Sequence, residues 1–163
     1  MKKIFPHVWL ILGLVIFDQA TKILISRKFG VFGSVTIIPG FFRLSRVHNK
    51  GAIFGAFGHM PGSFAFWILT AASLIALGMV VYYFFVTPPS QKGMKIALSL
   101  ILAGALGNLA DRVFRGYVLD FLELHAGRFY WPTFNAADSC ITIGAVLLVF
   151  FFWVKRPHAS HPD

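Results

Sequence analysis

FAFWILTAASLIALGMVVYYFFV, residues 64–86, is a run of 23 residues without a charged side chain. A hydrocarbon core about 30 Å thick needs roughly 20 apolar residues in helical form, so this run is long enough to cross a bilayer once. It decides the fold class, because backbone polar groups in lipid must be satisfied within the segment, which leaves a helix as the simple solution. Thr87-Pro88-Pro89-Ser90-Gln91 then stops the helix, and the short connection to Lys95 turns the next span antiparallel.

Three more runs have the same character, at residues 7–26, 95–112 and 136–154. The first follows Lys2 and Lys3 and begins like a secretory signal peptide. No small-residue cleavage site follows it, and Ile23-Leu24-Ile25 resume the apolar pattern, so it reads as an uncleaved span. Within it Asp18 and Lys22 stand four apart, acid before base, and so share a helix face as a structural ion pair. Residues 27–62 are too polar and glycine-rich to span. Their β-prone pieces at 35–38 and 41–47 are broken at Pro39-Gly40 and near His48-Asn49-Lys50-Gly51, which predicts a small sheet with turns. Phe54, Phe57 and Met60 would keep this element on the membrane surface, and a loop of such length usually works as a lid or binding element. Taken alone, Asn49 and Gly51 read more readily as a plain turn than as site residues. Residues 112–134 read as an interfacial segment, and the tail from His158 to Asp163 as disordered.

Composition agrees. Of the 163 residues 57% are hydrophobic and only 13% charged, against about 25% charged in a soluble domain. The mean hydropathy is +0.73. Nineteen phenylalanines and four tryptophans would overfill a soluble core of this size. The net charge of +9 does not indicate nucleic acid, since the basic residues lie in the gaps between apolar runs, where they anchor and orient a membrane protein. The single cysteine, Cys140, excludes an internal disulfide and any cysteine-rich metal site. The expectation is an all-α membrane protein of one domain, 1–163, with four transmembrane helices and a small extramembrane β-element and surface loop. Four spans put both termini on one side. Counting basic residues does not orient the chain: with cytoplasmic termini the inner side holds six (Lys2, Lys3, Lys92, Lys95, Lys155, Arg156), and the outer side holds eight.

Residues 104–139 contain four of the six acidic residues, Asp111, Asp120, Glu123 and Asp138. Carboxylates so near hydrocarbon are costly and mark a working site or an ion pair. Gly104, Asn108 and Asp111 follow i, i+4, i+7 spacing and form one small and polar stripe, with Ala103 and Gly107 as a small-xxx-small pair. Asn108, Asp111 and Arg112 at one helix end are either an ion-pair scaffold or a substrate clamp. Asp138, three residues after Asn135 at the start of a span, also reads as a helix cap. The four-span layout brings the Asn49 loop, Arg112, Asp120 and Asp138 to the same side.

Five blocks carry a resemblance: DQATK (18–22), NKGA (49–52), GALGNLADR (104–112), VLDF (118–121) and FNAADS (134–139). In this order they resemble the bacterial lipoprotein signal peptidase family, signal peptidase II. The resemblance implies an aspartic endopeptidase, multi-pass in the bacterial cytoplasmic membrane, with cytoplasmic termini and an active site towards the outer face. It implies Asp120 and Asp138 as the catalytic pair and Asn49, Gly51, Asn108, Arg112, Asn135 and Ala137 as residues that bind substrate or organise the site. Asp18, Lys22 and Asp111 become supporting residues, with Asp111 holding Arg112 or the loop. The implied substrate is a diacylglyceryl-modified prolipoprotein cut N-terminal to its lipidated cysteine. No metal or cofactor is required, and the expected partners are substrate and membrane phospholipids, the protein being a monomer that binds no nucleic acid. A small proton-coupled transporter using Asp18 and a non-catalytic assembly subunit are the competing readings.

Overall fold

The computed structural model describes residues 4–50 and 62–154. Gly51, Phe54, Phe57, Met60 and the C-terminal tail, to which the sequence assigned roles, lie outside the described residues. Four helices are long and apolar enough to cross a membrane. They are α1 (Phe5–Lys28), α2 (Gly62–Val86), α3 (Lys92–Arg115) and α4 (Ala136–Val154), each within a few residues of the run that predicts it. Pro6 lies in the first turn of α1, where a missing N–H costs no hydrogen bond. Gly116, at φ 73°, closes α3 in the left-handed conformation that favours glycine.

Half of the α3 span is buried within the protein, against 17% or less for the other three, so α3 is the central helix. Its closest neighbour is α4, and glycines set the distance between them. A Cβ on Gly104 would lie 2.2 Å from the carbonyl oxygen of Ala137, and one on Gly144 would lie 2.7 Å from that of Ala97. Lipid gives helices no hydrophobic drive to associate, so close backbone approach and the packing it allows must hold them. The small-xxx-small pair Ala103/Gly107 belongs to the same seam: Gly107 faces Asp18 of α1 and Ala137 of α4.

The extramembrane element is larger than the sequence suggests. It is a four-stranded antiparallel sheet in the order β1 (Ser34–Ile38), β2 (Phe42–Asn49), β3 (Val118–Ala126), β4 (Phe129–Phe134). The first pair is the predicted one. The second falls in residues 112–134, read from sequence only as interfacial. A one-residue slip between Leu44 and Val47 puts a bulge in β2, and Arg46 within it donates to the carbonyls of Ser26 and Phe29 at the C-terminus of α1. The guanidinium thus meets the negative end of a helix. Leu119 and Phe121 of β3 pack on Ile25 of α1, which fixes the sheet to the bundle.

Gly104→Ala is expected to push α3 from α4 and cost about 1–3 kcal/mol. Gly13→Ala, at a position with nothing within 4 Å, is expected to be neutral or stabilising. Thermal unfolding of both variants in detergent tests this; equal melting temperatures would show that the seam yields.

Candidate active site

The first turn of α4 organises the site. Asn135 precedes the helix and accepts the backbone N–H of Asp138 on its Oδ1 at 2.9 Å, while the carboxylate of Asp138 accepts the N–H of Asn135 at 3.1 Å. This reciprocal arrangement is a capping box. A third orphan donor, the N–H of Ala137, is taken by Asp18 of α1 at 2.9 Å. The cap reading of Asp138 is therefore correct as far as it goes, but it uses only Oδ2.

The other oxygen of Asp138 accepts from the side-chain amide of Asn108 at 2.7 Å. Asp120, on β3, receives two amides: Asn135 Nδ2 at 2.7 Å on Oδ1 and Asn49 Nδ2 at 2.9 Å on Oδ2. Strand register explains the second contact. Val47 is paired with Asp120 and Asn49 with Val118, so Asn49 and Asp120 are diagonal neighbours on one face. Asn135 thus binds both acids at once. Asp120 is 3% exposed, and burial pushes its carboxyl up to about 7. The charge of Asp138 adds to the rise, and the Asn49 and Asn135 amides oppose it.

Behind the pair lies a charge-balanced cluster. Lys22 is fully buried and donates to Asp18 at 2.8 Å, Asp111 at 2.9 Å and Asn108 Oδ1 at 3.2 Å. Arg115 pairs with Asp111 from the next turn of α3, and Asp111 also accepts the N–H of Leu119 at 3.0 Å, holding the start of β3. The expected Asp18–Lys22 pair forms. Of the two roles expected for Asp111, holding the loop is met by the bond to Leu119, and holding Arg112 is corrected: the paired arginine is Arg115, four residues on and on the same helix face. Sequence reasoning also missed Gln19, whose amide bridges Asp111 and the carbonyl of Gly107; its place inside the DQATK block was the available signal. Asp18 has both oxygens occupied and is 1% exposed, which does not suit a carboxylate serving alternating access.

Arg112 donates to the carbonyl of Asn108 at 3.3 Å and lies within electrostatic reach of Asp138 and Asp120. A groove of about 250 Å³ ends at Asn108, Arg112 and Asp138, with Ser73 and Val80 of α2 and Ile141 of α4 among its walls. The arrangement offers one acid, one guanidinium and one amide at the end of a largely apolar groove, with the second acid, Asp120, linked to Asp138 through Asn135. Of the residues singled out from sequence, Asn49, Asn108, Arg112, Asp120, Asn135, Ala137 and Asp138 come together here, with Asp18, Lys22 and Asp111 directly behind.

Comparison with known proteins agrees with the five blocks. Residues 10–154 match the family model described as signal peptidase (SPase) II. The lipoprotein signal peptidase of Syntrophus aciditrophicus (strain SB) is 41% identical over 149 residues, 91% of this chain and 92% of that one. That of Paraburkholderia phymatum is 45% identical over 136 residues, covering 83% and 80%. A bacterial membrane enzyme solved in meso at 1.9 Å resolution superposes with a TM-score of 0.80 at 34% identity, over 94% of this chain and 96% of that one.

Lys22→Met is expected to leave Asp18 and Asp111 buried without their shared counter-charge and to cost about 3–5 kcal/mol, read as a lowered melting temperature. For Asp120 the sign follows from its raised value. The folded state holds the proton more tightly than the unfolded chain, so its contribution to stability is full below about pH 4 and is lost as pH rises through about 7. Asp120→Asn should therefore melt progressively higher relative to the unsubstituted protein between pH 4.5 and 8. A pH-independent difference would contradict the burial of this carboxyl.

Proposed function

Since the chain belongs to the signal peptidase II family, we propose that Asp120 and Asp138 are the acid pair of its active site and share one water as the nucleophile. Membership makes the protein an aspartic peptidase that removes signal peptides from prolipoproteins. The observation that carries the assignment is Asn135, which holds one acid by its amide and the other by a reciprocal backbone cap.

Two carboxyls around one water cannot both be ionised cheaply, so the pair titrates as a unit and carries one proton. On this reading the proton rests on Asp120, whose carboxyl is raised to about 7. Asp138, bonded to a backbone N–H at the positive end of α4, is the base. It takes a proton from the water as the oxygen attacks the scissile carbonyl, and Asp120 gives its proton to the developing oxyanion. Collapse of the tetrahedral intermediate returns that proton to Asp120 and passes the one on Asp138 to the leaving amine. With one shared proton, the pair and Arg112 sum to zero charge. Asn49, Asn108 and Arg112 supply donors that align the peptide backbone in a setting where unpaired polar groups are expensive, with Ala137 beside them.

The substrate of this reading is a prolipoprotein whose cysteine bears a diacylglyceryl group, cut on the N-terminal side of that cysteine. Its signal peptide lies in the groove between α2, α3 and α4, and its acyl chains stay in lipid. The enzyme is a monomer of the cytoplasmic membrane, with termini inside and the sheet on the outer face. What supports opposite sides for the two is the four-helix arrangement: the acids and sheet lie at one end of the bundle, and the first residues of α1 and the last of α4 lie at the other.

Purified protein in lipid should shorten a diacylglyceryl-modified precursor on a gel and leave the unmodified precursor intact. Asp120→Asn and Asp138→Asn should each remain folded and lose roughly 10²–10⁴-fold in rate or more; a variant that keeps cutting is not part of the pair. Arg112→Ala should raise KM with its melting temperature unchanged, because its partners do not include Asp111. The kcat/KM should decline as pH rises above about 7, when Asp120 loses its proton.

A further inference from the structure

At the end of the bundle opposite the acids, α1, the 87–91 turn and the start of α3 border an open cleft of about 810 Å³, with Pro6, His7, Leu10, Pro89 and Ile96 among its walls. A second groove of about 270 Å³ runs from the same turn to Met94 and Phe151, and the two share Ser90 and Lys92. Gly93 makes the second wall possible, since a Cβ there would lie 2.3 Å from the Phe151 ring. Two largely apolar clefts therefore meet at one ammonium.

The charges at the two ends of the bundle differ in how they are used. Near the sheet, three arginines have partners in the protein, Arg43 with Glu123, Arg46 with the α1 carbonyls and Arg115 with Asp111, while Arg27, Lys28 and Arg128 are exposed but border neither of the two clefts. At the other end Lys92 is exposed and has no hydrogen bond or ion pair among the described residues. Lys95 donates to the carbonyl of Phe84 at 2.7 Å and lies over its ring, 4.3 Å from the centroid, again without a carboxylate. Lys2, Lys3, Lys155 and Arg156 belong to the same end by sequence. His7 adds chemical detail. The Ser99 hydroxyl donates to the carbonyl of Lys95 at 2.7 Å, so it accepts from Nδ1–H of His7 at 3.2 Å. In the neutral ring Nε2 is then an acceptor, suited to a hydroxyl.

We propose that this junction is a phospholipid site: one anionic glycerophospholipid seats its phosphodiester at Lys92 and one acyl chain in each cleft, with a headgroup hydroxyl meeting His7. The two clefts match a two-chain amphiphile, and the ammonium groups of Lys92 and Lys95, which have no carboxylate partner among the described residues, match its charge. The site is on the leaflet of the chain termini and is independent of the peptidase chemistry.

The test titrates the full-length purified protein in neutral detergent with phosphatidylglycerol, phosphatidylcholine or soluble glycerol phosphate. Melting temperature and lipids retained in native mass spectrometry are the readouts. The expected result is one retained phosphatidylglycerol, bound at least about tenfold more tightly than phosphatidylcholine. That preference should be kept in Lys28→Gln, which removes an exposed charge at the other end, and lost in Lys92→Gln. Leu10→Trp, which fills the larger cleft, should weaken both lipids. Equal binding of the two lipids would mean a merely annular layer, an equal effect of glycerol phosphate would mean a headgroup-only contact, and a preference that survives Lys92→Gln would place the site elsewhere. Each overturns the proposal.

Discussion

A lysine ammonium with no exposed surface can be tolerated only where every N–H has an acceptor and the charge has a counter-ion. Lys22 meets both conditions through Asp18, Asp111 and Asn108, and the rest of the site depends on that solution. The oxygen of Asn108 accepts from Lys22 and from Asn135, so its NH₂ group must face Asp138. Asn135, bonded to Asn108 in this way, turns its own NH₂ to Asp120. One buried cation therefore sets the orientation of two amides, and those amides set the separation of the two acids. No member can rotate without orphaning another.

The network also needs three helices within side-chain reach. Gly107 allows Asp18 to approach α3, while Gly104 and Gly144 allow α3 and α4 nearly to touch. Asp18 then reaches across to the N-terminus of α4. Packing and polar satisfaction are thus one problem here: a methyl group in the seam would move the donors as well as the backbones.

Much of this was legible in the sequence, for reasons that differ by element. The spans stand out because lipid demands unbroken apolar runs of a fixed length. The strands β1 and β2 were visible because turn residues flank them. The β3–β4 pair was not, since β3 is an inner strand whose first four residues are all buried, and burial on both faces erases the alternation that marks a strand. Its hairpin signal, a lone Gly127 between two β-prone runs, was hidden among aromatics that also suit a membrane interface. The partner of Asp111 was misassigned because Arg112 is adjacent in the chain, whereas on a helix the neighbour is four residues away. For Asp138 the sequence admits two readings, cap and site. The structure gives it one oxygen for the cap and one for the site side, so the cap reading was too narrow rather than mistaken.

The groove that ends at Asp138 has α2 as a wall, and only 11% of the α2 span is buried in the protein. A helix so sparsely held presents most of its surface to hydrocarbon, and it forms one wall of the groove. On the proposed reading, a lipid-tethered chain has no need to leave the bilayer or thread an aqueous tunnel. It arrives laterally, and the encounter becomes a two-dimensional search governed by surface density.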